Sequence, residues 1–248
     1  ITSNSGARFI ENQVNKRSFG PIEQVEISGF SGDPLDVFSI DAVKLYDKEG
    51  LWLSAQYIDI DWSPWPLRKK VLDIRSARIA STEVLRRPVL NEVEPPEDPF
   101  TIQLEKGDVK ALTIREPVIG QEAVLSLSGR LTTEKDSAIK AALKALRTDA
   151  AGDALSLGFT RTASGEMSGE FTLNGAEDGT IATLLRAPDG IAITGLGSLN
   201  GDMAAGQGNI IIKFNDITRA YPTIFSDHFF GCFCTVPIAF HHGIATRA

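Results

Sequence analysis

Residues 25–88 constrain the fold of this 248-residue chain more than any other stretch. They form a succession of extended segments, each about 8–12 residues long and each ended by a Gly/Asp/Pro turn, the rhythm of a β-meander. Phe38 and Ile40 alternate with Ser39 and Asp41, and Val43 and Leu45 alternate with Lys44 and Tyr46. The phase slips by one residue between Ile40 and Val43, which predicts a β-bulge that keeps both pairs on one face. Asp47-Lys48-Glu49-Gly50 reads as a turn, with Gly50 at the position of positive φ. Leu51, Leu53 and Ala55 open the next strand, and Ile58, Ile60 and Trp62 continue it after a second slip. Each strand is apolar on one side and polar on the other, so the sheet hides one face and wets the other.

Upstream, SNSGARFIENQVNKRSFGP predicts a helix within residues 1–20. Asn4 or Ser5 can cap it, Phe9, Ile10, Gln13 and Val14 share one side, and Gly20-Pro21 stops it. Such a helix would cover the open edge of the sheet, which otherwise invites aggregation. The prolines of Ser63-Pro64-Trp65-Pro66-Leu67 exclude a central strand and predict a bend or one helical turn. Trp62 and Trp65 flank that bend and are expected to plug the hydrophobic interior. The acidic, Pro-rich run NEVEPPEDP reads as an extended connector over 91–99, between a first β unit (21–90) and a second (100–224).

Beyond the connector the β rhythm resumes through Ile102, Leu104, Val109, Leu112, Ile114, Val118-Ile119-Gly120, Val124, Leu125 and Leu127. Residues 136–147 (DSAIKAALKALR) carry helix-favouring Ala, Leu and Lys. Yet the period of two in Ile139, Ala141, Leu143 and Ala145 predicts a strand. Leu155, Leu157 and Phe159, then Met167, Gly169 and Phe171, continue the alternation. A short helix is expected over 179–186 and strands over 191–194 and 209–214, with Gly195-Leu-Gly197-Ser-Leu-Asn-Gly201 and GDMAAGQG as turns. Residues 225–248 break every pattern and read as an atypical tail, the product of a damaged frame or a truncation.

Composition narrows the function classes. A net charge of −7 argues against a nucleic-acid partner. No run of 18 apolar residues exists to form a membrane-spanning helix, and no signal sequence opens the chain. The first residue is Ile1 rather than Met, so an upstream segment is expected to be missing. Both cysteines and all three histidines lie from His228 onward. Residues 1–227 therefore have neither thiol nor imidazole, which excludes a disulfide scaffold and any His-based mechanism there.

Cys232-x-Cys234 with His228, His241 and His242 has metal-binding residue types but not the C-x-x-C spacing, and an aberrant tail accounts for it better. Asp59 and Asp61 share the polar face of one strand and read as solvated acids rather than a glycosidase pair. Gly195 to Gly201 lacks the dinucleotide-loop spacing, and Gly29-Phe30-Ser31-Gly32 lacks the last glycine of a nucleophile elbow. Arg68, Lys69, Lys70, Arg75 and Arg78 read as a solvated strand face ahead of a headgroup-binding patch. No catalytic residue, cofactor or metal is expected.

A family resemblance runs through the same segments. The turn Gly29-Phe-Ser-Gly-Asp-Pro-Leu35, the strand end Asp47-Lys-Glu-Gly-Leu-Trp-Leu53, IDWSPWPL, IRSARIASTEVLRRP and the acidic break follow in order. ALTIREPVIGQEAVLSLSGRL, ALRTD and LLRAPDG continue the likeness, which spans residues 6–221. In this the chain resembles the start of the periplasmic part of the TamB family, translocation and assembly module proteins of alphaproteobacterial type.

The resemblance implies a mainly β fold: an elongated, curved antiparallel sheet forming a hydrophobic groove, with an N-terminal helix and one or two short helices. It implies an inner-membrane anchor upstream, a periplasmic location in a Gram-negative bacterium and a TamA-like outer-membrane barrel as partner. The expected role lies in outer-membrane biogenesis, through protein secretion, autotransporter assembly and phospholipid transport, with phospholipids or unfolded outer-membrane proteins as cargo. Phe38, Ile40, Val43, Leu45, Leu53, Ile58, Ile60, Leu72 and Ile74 are the candidate groove residues. A passive structural β module, whose apolar face only packs on itself, is the alternative.

Overall fold

The structure is a computed structural model that describes residues 4–15, 17–19, 21–91, 100–135, 138–150, 152–185, 189–202, 206–214 and 217–225. Strands β1 (Arg17–Phe19), β2 (Ile22–Ser28), β3 (Ser31–Gly32), β4 (Val37–Asp47), β5 (Gly50–Ser63) and β6 (Val71–Val84) precede the connector. After it come β7 (Thr101–Ile114), β8 (Ala123–Thr133), β9 (Ile139–Arg147), β10 (Ala154–Arg161), β11 (Met167–Gly175), β12 (Ile193–Gly201), β13 (Gly206–Phe214) and β14 (Ile217–Phe225). Three α-helical segments, α1 (Asn4–Val14), α2 (Glu116–Ile119) and α3 (Thr180–Leu184), and one 3-10 turn (Trp65–Lys69) complete the described elements.

The strands form one open, curved sheet in which spatial order follows chain order, apart from β3, which pairs only with β4. All described pairings are antiparallel but one. β6 and β7 run parallel, Val71 beside Thr101 and Val84 beside Ile114. This corrects the all-antiparallel expectation. A parallel neighbour needs a crossover of a dozen or more residues, and the stretch from Leu85 to Phe100 supplies it. The chain leaves β6 at the end marked by the Asp47–Gly50 turn (the lower end). Val89 N–H then donates to Asp47 Oδ2 at 2.6 Å and Asn91 N–H to the Pro21 carbonyl at 3.0 Å. It re-enters at the upper end, where Thr101 N–H donates to the Lys70 carbonyl at 2.9 Å. The two β units are thus halves of one hydrogen-bonded sheet.

The two phase slips read from the sequence, on β4 and β5, line up with two more on β6 and β7. Pairing breaks at Asp41 on β4, Tyr57 on β5, Ala80 on β6 and Lys110 on β7, which lie side by side at one level. Ala55 and Ile58, three apart, are both buried, while Gln56 and Tyr57 between them are exposed. Tyr57 takes a φ of 54°, a left-handed conformation that costs a non-glycine residue roughly 1–3 kcal/mol. A register shift between Val109 and Leu112 absorbs the extra residue before β8. This stacked bulge keeps the apolar side chains on one face where strict alternation would have turned them out.

The N-terminal helix is shorter than expected: Arg17–Phe19, placed in the helix by sequence, is strand β1. Three residues cover only the lower part of β2, and Asn15 deals with the rest. Its side-chain amide donates to the Ile27 carbonyl at 3.1 Å and accepts from Ile27 N–H at 2.6 Å, as a neighbouring strand would. Glu11 on α1 accepts from Phe30 N–H at 3.0 Å, and the helix lies along this edge. Asn15→Ala should cost about 1–2 kcal/mol through the two orphaned backbone groups. It should also promote self-association along the bared edge, read by sedimentation velocity. A variant as stable and as monomeric as the parent would show that the edge is protected otherwise.

Two further segments differ from expectation. Val118-Ile119-Gly120 is helix α2 and its cap: Pro117 supplies no amide for a ladder, and Gly120, at φ 86°, donates its N–H to the Glu116 carbonyl at 2.7 Å. Gly195 to Gly201, read as a turn, is strand β12. Its glycines sit under large neighbours. A Cβ on Gly197 would come within 2.3 Å of the Phe171 ring, and one on Gly195 within 2.9 Å of Leu173. The sites are glycine because the β11 side chains lie flat across them, not because the chain bends. Strand β9 and helix α3 form where the alternation and the break at 186–190 placed them. Phe225 ends β14, and residues 226–248, with Cys232, Cys234, His228, His241 and His242, lie outside the described residues.

Candidate functional site

Register assigns each side chain to a face, because residues paired across an antiparallel ladder point the same way. One cross-strand row reads Ile40, Ile58, Ile79, Val109, Leu127, Ala145, Leu155 and Leu173. Another reads Trp62, Ile74, Leu104, Leu131, Ala141 and Phe159. The apolar face therefore runs unbroken from β2 to β12. Its counterpart row on the other face reads Ser39, Asp59, Arg78, Asp108, Ser128, Lys144 and Ser156.

The candidate groove residues all fall on the apolar face. Phe38, Ile40, Ile58 and Ile60 pair across β4 and β5 in its upper half, with Leu72 and Ile74 on β6; Val43, Leu45 and Leu53 lie below the bulge. Ile58 is buried and the others half-buried. Among them Phe38 stacks on Phe30, with centroids 5.3 Å apart, and meets Trp62 edge to face at 6.3 Å. Trp62 donates its Nε1–H to the Pro34 carbonyl at 3.1 Å, which satisfies the indole and fixes the ring inward. Trp65 does not join it. It is 68% exposed, with the Arg68 guanidinium 5.3 Å from its ring, so the interior plug is Trp62 alone. The 3-10 turn that starts at Trp65 swings it outward.

The deepest part of the apolar face lies elsewhere, on β6–β9, which sequence reasoning did not single out. A cavity of about 380 Å³ opens there, lined by Ala77, Ile79, Leu104, Gly107, Val109, Leu127, Gly129, Leu131, Ala141 and Leu143. It exists because Ala77, Gly107 and Gly129 follow one another in a single row and put almost no side chain on the surface. A Cβ on Gly129 would meet the Ala142 carbonyl at 2.6 Å, so small size is enforced by backbone approach. Glycine inside a strand pattern was the available signal. Leu143 and Leu157, beside it on the same face, are 37% and 39% exposed, so no second layer covers this region.

The lower end, in contrast, is closed. Ile193 and Ala182 form a buried cluster with Leu173, Leu185 and Ile191 around α3. Asp153 anchors that helix: it accepts from Ala176 N–H at 2.9 Å and Thr180 N–H at 2.5 Å, and pairs with Arg147 at 3.4 Å. Of the basic residues, Arg75 is held by Asp36 and Asp61, on the polar face. Asp59 accepts from Ser39 Oγ at 2.6 Å. The two acids thus have separate partners. No described helix is long and apolar enough to cross a membrane. No family model, curated protein or solved structure matches this chain.

Proposed function

We propose that this chain is part of a hydrophobic conduit of TamB type: anchored in the inner membrane, spanning the periplasm, and carrying acyl chains along its apolar sheet face. One observation carries the reading, an apolar face continuous over ten strands of the sheet path yet left uncovered around Leu143 and Leu157. A sheet that served only as scaffold would bury this surface, because each methylene withdrawn from water contributes ~0.8 kcal/mol. A cavity of about 380 Å³ falls within the range of small-molecule sites, roughly 300–1,000 Å³. The motif likeness supplies the compartment, the TamA-like partner and the role in outer-membrane biogenesis and protein secretion. An acyl chain fits a wall with no hydrogen-bonding partner to offer better than an unfolded polypeptide does, whose backbone groups would go unsatisfied.

The test is mass spectrometry of lipids extracted from the purified protein, with Leu143→Asp as the variant. Residue 143 is exposed enough for a new carboxylate to reach water, so the fold should survive by circular dichroism while co-purified phospholipid drops at least fivefold. A parent protein free of lipid, or a variant that retains it, would favour the passive structural module.

A further inference from the structure

A cavity of about 660 Å³ opens on the opposite, polar face of β5–β9, where the stacked bulge has pushed Tyr57 clear of the sheet. Its rim carries three cations, Arg78, Lys110 and Lys144. Two acids, Asp59 and Asp108, flank Arg78 in register, and simple cross-strand pairing would tie it to one of them. The geometry does otherwise. Asp59 accepts from Ser39 Oγ at 2.6 Å, and Asp108 pairs with Lys106 at 3.4 Å. Neither acid comes within ion-pair distance of Arg78, and among the described residues Arg78, Lys110 and Lys144 have neither ion pair nor hydrogen bond. Arg78, Lys110 and Lys144, none of them in an ion pair, therefore outnumber the two acids around one depression in a protein whose net charge is −7.

Ser126 and Ser128 also line it, and the rest of the wall is mostly apolar. Tyr57, 65% exposed, closes one side, and Leu146, an exposed leucine on an otherwise polar face, closes the other. Arg78 and Lys144 stand three strands apart, about 14 Å between backbones, a gap that two long side chains can narrow around a bound group. We propose that this cavity binds an amphipathic anion, with its phosphate or carboxylate held by Arg78, Lys110 and Lys144 and its apolar part against Tyr57 and Leu146. The left-handed backbone at Tyr57 has a use in this arrangement, since it stands the ring up as a wall. The site lies across the sheet from the acyl-chain cavity and does not depend on it.

Such a phosphate could belong to a lipid headgroup or to a free metabolite, and titration calorimetry separates them. The probes are monomeric dihexanoyl-phosphatidylglycerol, glycerol phosphate and inorganic phosphate, each added to the parent protein, to a Lys110→Gln/Lys144→Gln variant and to Leu143→Asp. The short-chain lipid should bind the parent with an affinity that weakens as salt is raised, and at least tenfold more weakly to the double lysine variant. Leu143→Asp, which acts on the opposite face, should keep the salt-sensitive part of the binding that the double lysine variant loses, and the two small phosphates should bind at least tenfold more weakly than the lipid. Glycerol phosphate binding as tightly as the lipid would overturn the amphipathic assignment. Loss of binding in Leu143→Asp with none in the lysine variant would move the ligand to the apolar face and overturn the site, as would a parent protein that binds no probe. Both lysines are exposed, so the double variant should keep its circular dichroism spectrum and midpoint.

Discussion

Ile58→Asp should unfold the first half of the sheet, whereas Leu143→Asp on the same face should not. Ile58 is 7% exposed and sits between Ile40 and Ile79 in register, immediately after the bulge at Tyr57. Its replacement removes a packed side chain, worth about 2–5 kcal/mol for truncation alone, and leaves a carboxylate with no partner and no route to water. A loss of about 4 kcal/mol or more is expected, read as a collapse of the urea midpoint in circular dichroism. Leu143 lies four strands further along the same apolar face, is 37% exposed, and should cost far less. The pair measures where the face is closed and where it is open. If Ile58→Asp were as stable as the parent, the packing around β4–β6 would be wrong. If both variants unfolded, the face would be a closed core throughout and the conduit would lose its basis.

Asp47 should prove the most sensitive acidic position. Its side chain is 1% exposed and holds three partners. It takes a bidentate contact from Arg86, accepts Val89 N–H at 2.6 Å through Oδ2, and accepts Glu49 N–H at 2.8 Å through Oδ1. Arg86 in turn reaches the Gly50 carbonyl at 2.9 Å. One carboxylate therefore ties the β4–β5 turn to the start of the crossover that sets the parallel junction.

The Arg86 hydrogen bond, aided by those from the Val89 and Glu49 amides, holds its carboxyl well below the usual carboxylate range, against the upward push of burial. With the folded value depressed, the stabilisation is complete at neutral pH, begins to fade as pH falls below about 4, and disappears as the folded carboxyl is protonated. Asp47→Asn should lower the thermal midpoint at pH 7 by on the order of 10 °C, because half-buried Arg86 is left with only the 3.5 Å ion-pair contact to exposed Glu49. It should also flatten the acid limb of the stability curve. Parallel acid limbs for variant and parent would show that other carboxylates govern it.

Much of the face pattern was legible because it is local. The pairs Ile40/Val43, Ala55/Ile58 and Val109/Leu112 each show a three-residue step in an otherwise two-residue period, and each is a site of the stacked bulge. Residues 139–147 read correctly as strand against their helix propensity, since alternation reports the surface a strand must bury. Gly195 and Gly197 misled for the converse reason. Glycine within a segment signals either a turn or a crowded neighbour, and the crowding side chains, Leu173 and Phe171, are more than twenty residues away in the chain.

What the chain determined by itself is the division of each strand into an apolar and a polar side, the levels at which that division slips, and the places where the chain turns. These follow from side-chain geometry within a few residues. Tertiary structure alone decided how those faces are used. Whether an apolar face is covered depends on a second layer that no strand's own pattern encodes, and the same leucine alternation gives a buried Ile58 and an open Leu143. Trp65 turns outward while Trp62 turns in, because the 3-10 turn between β5 and β6 rotates one away from the sheet. The parallel junction arises from where the crossover is pinned, at Asp47, Pro21 and Lys70. Arg78 is left without an ion pair although Asp59 and Asp108 flank it in register, because these bond to Ser39 and Lys106 instead, a competition settled only when the strands lie side by side.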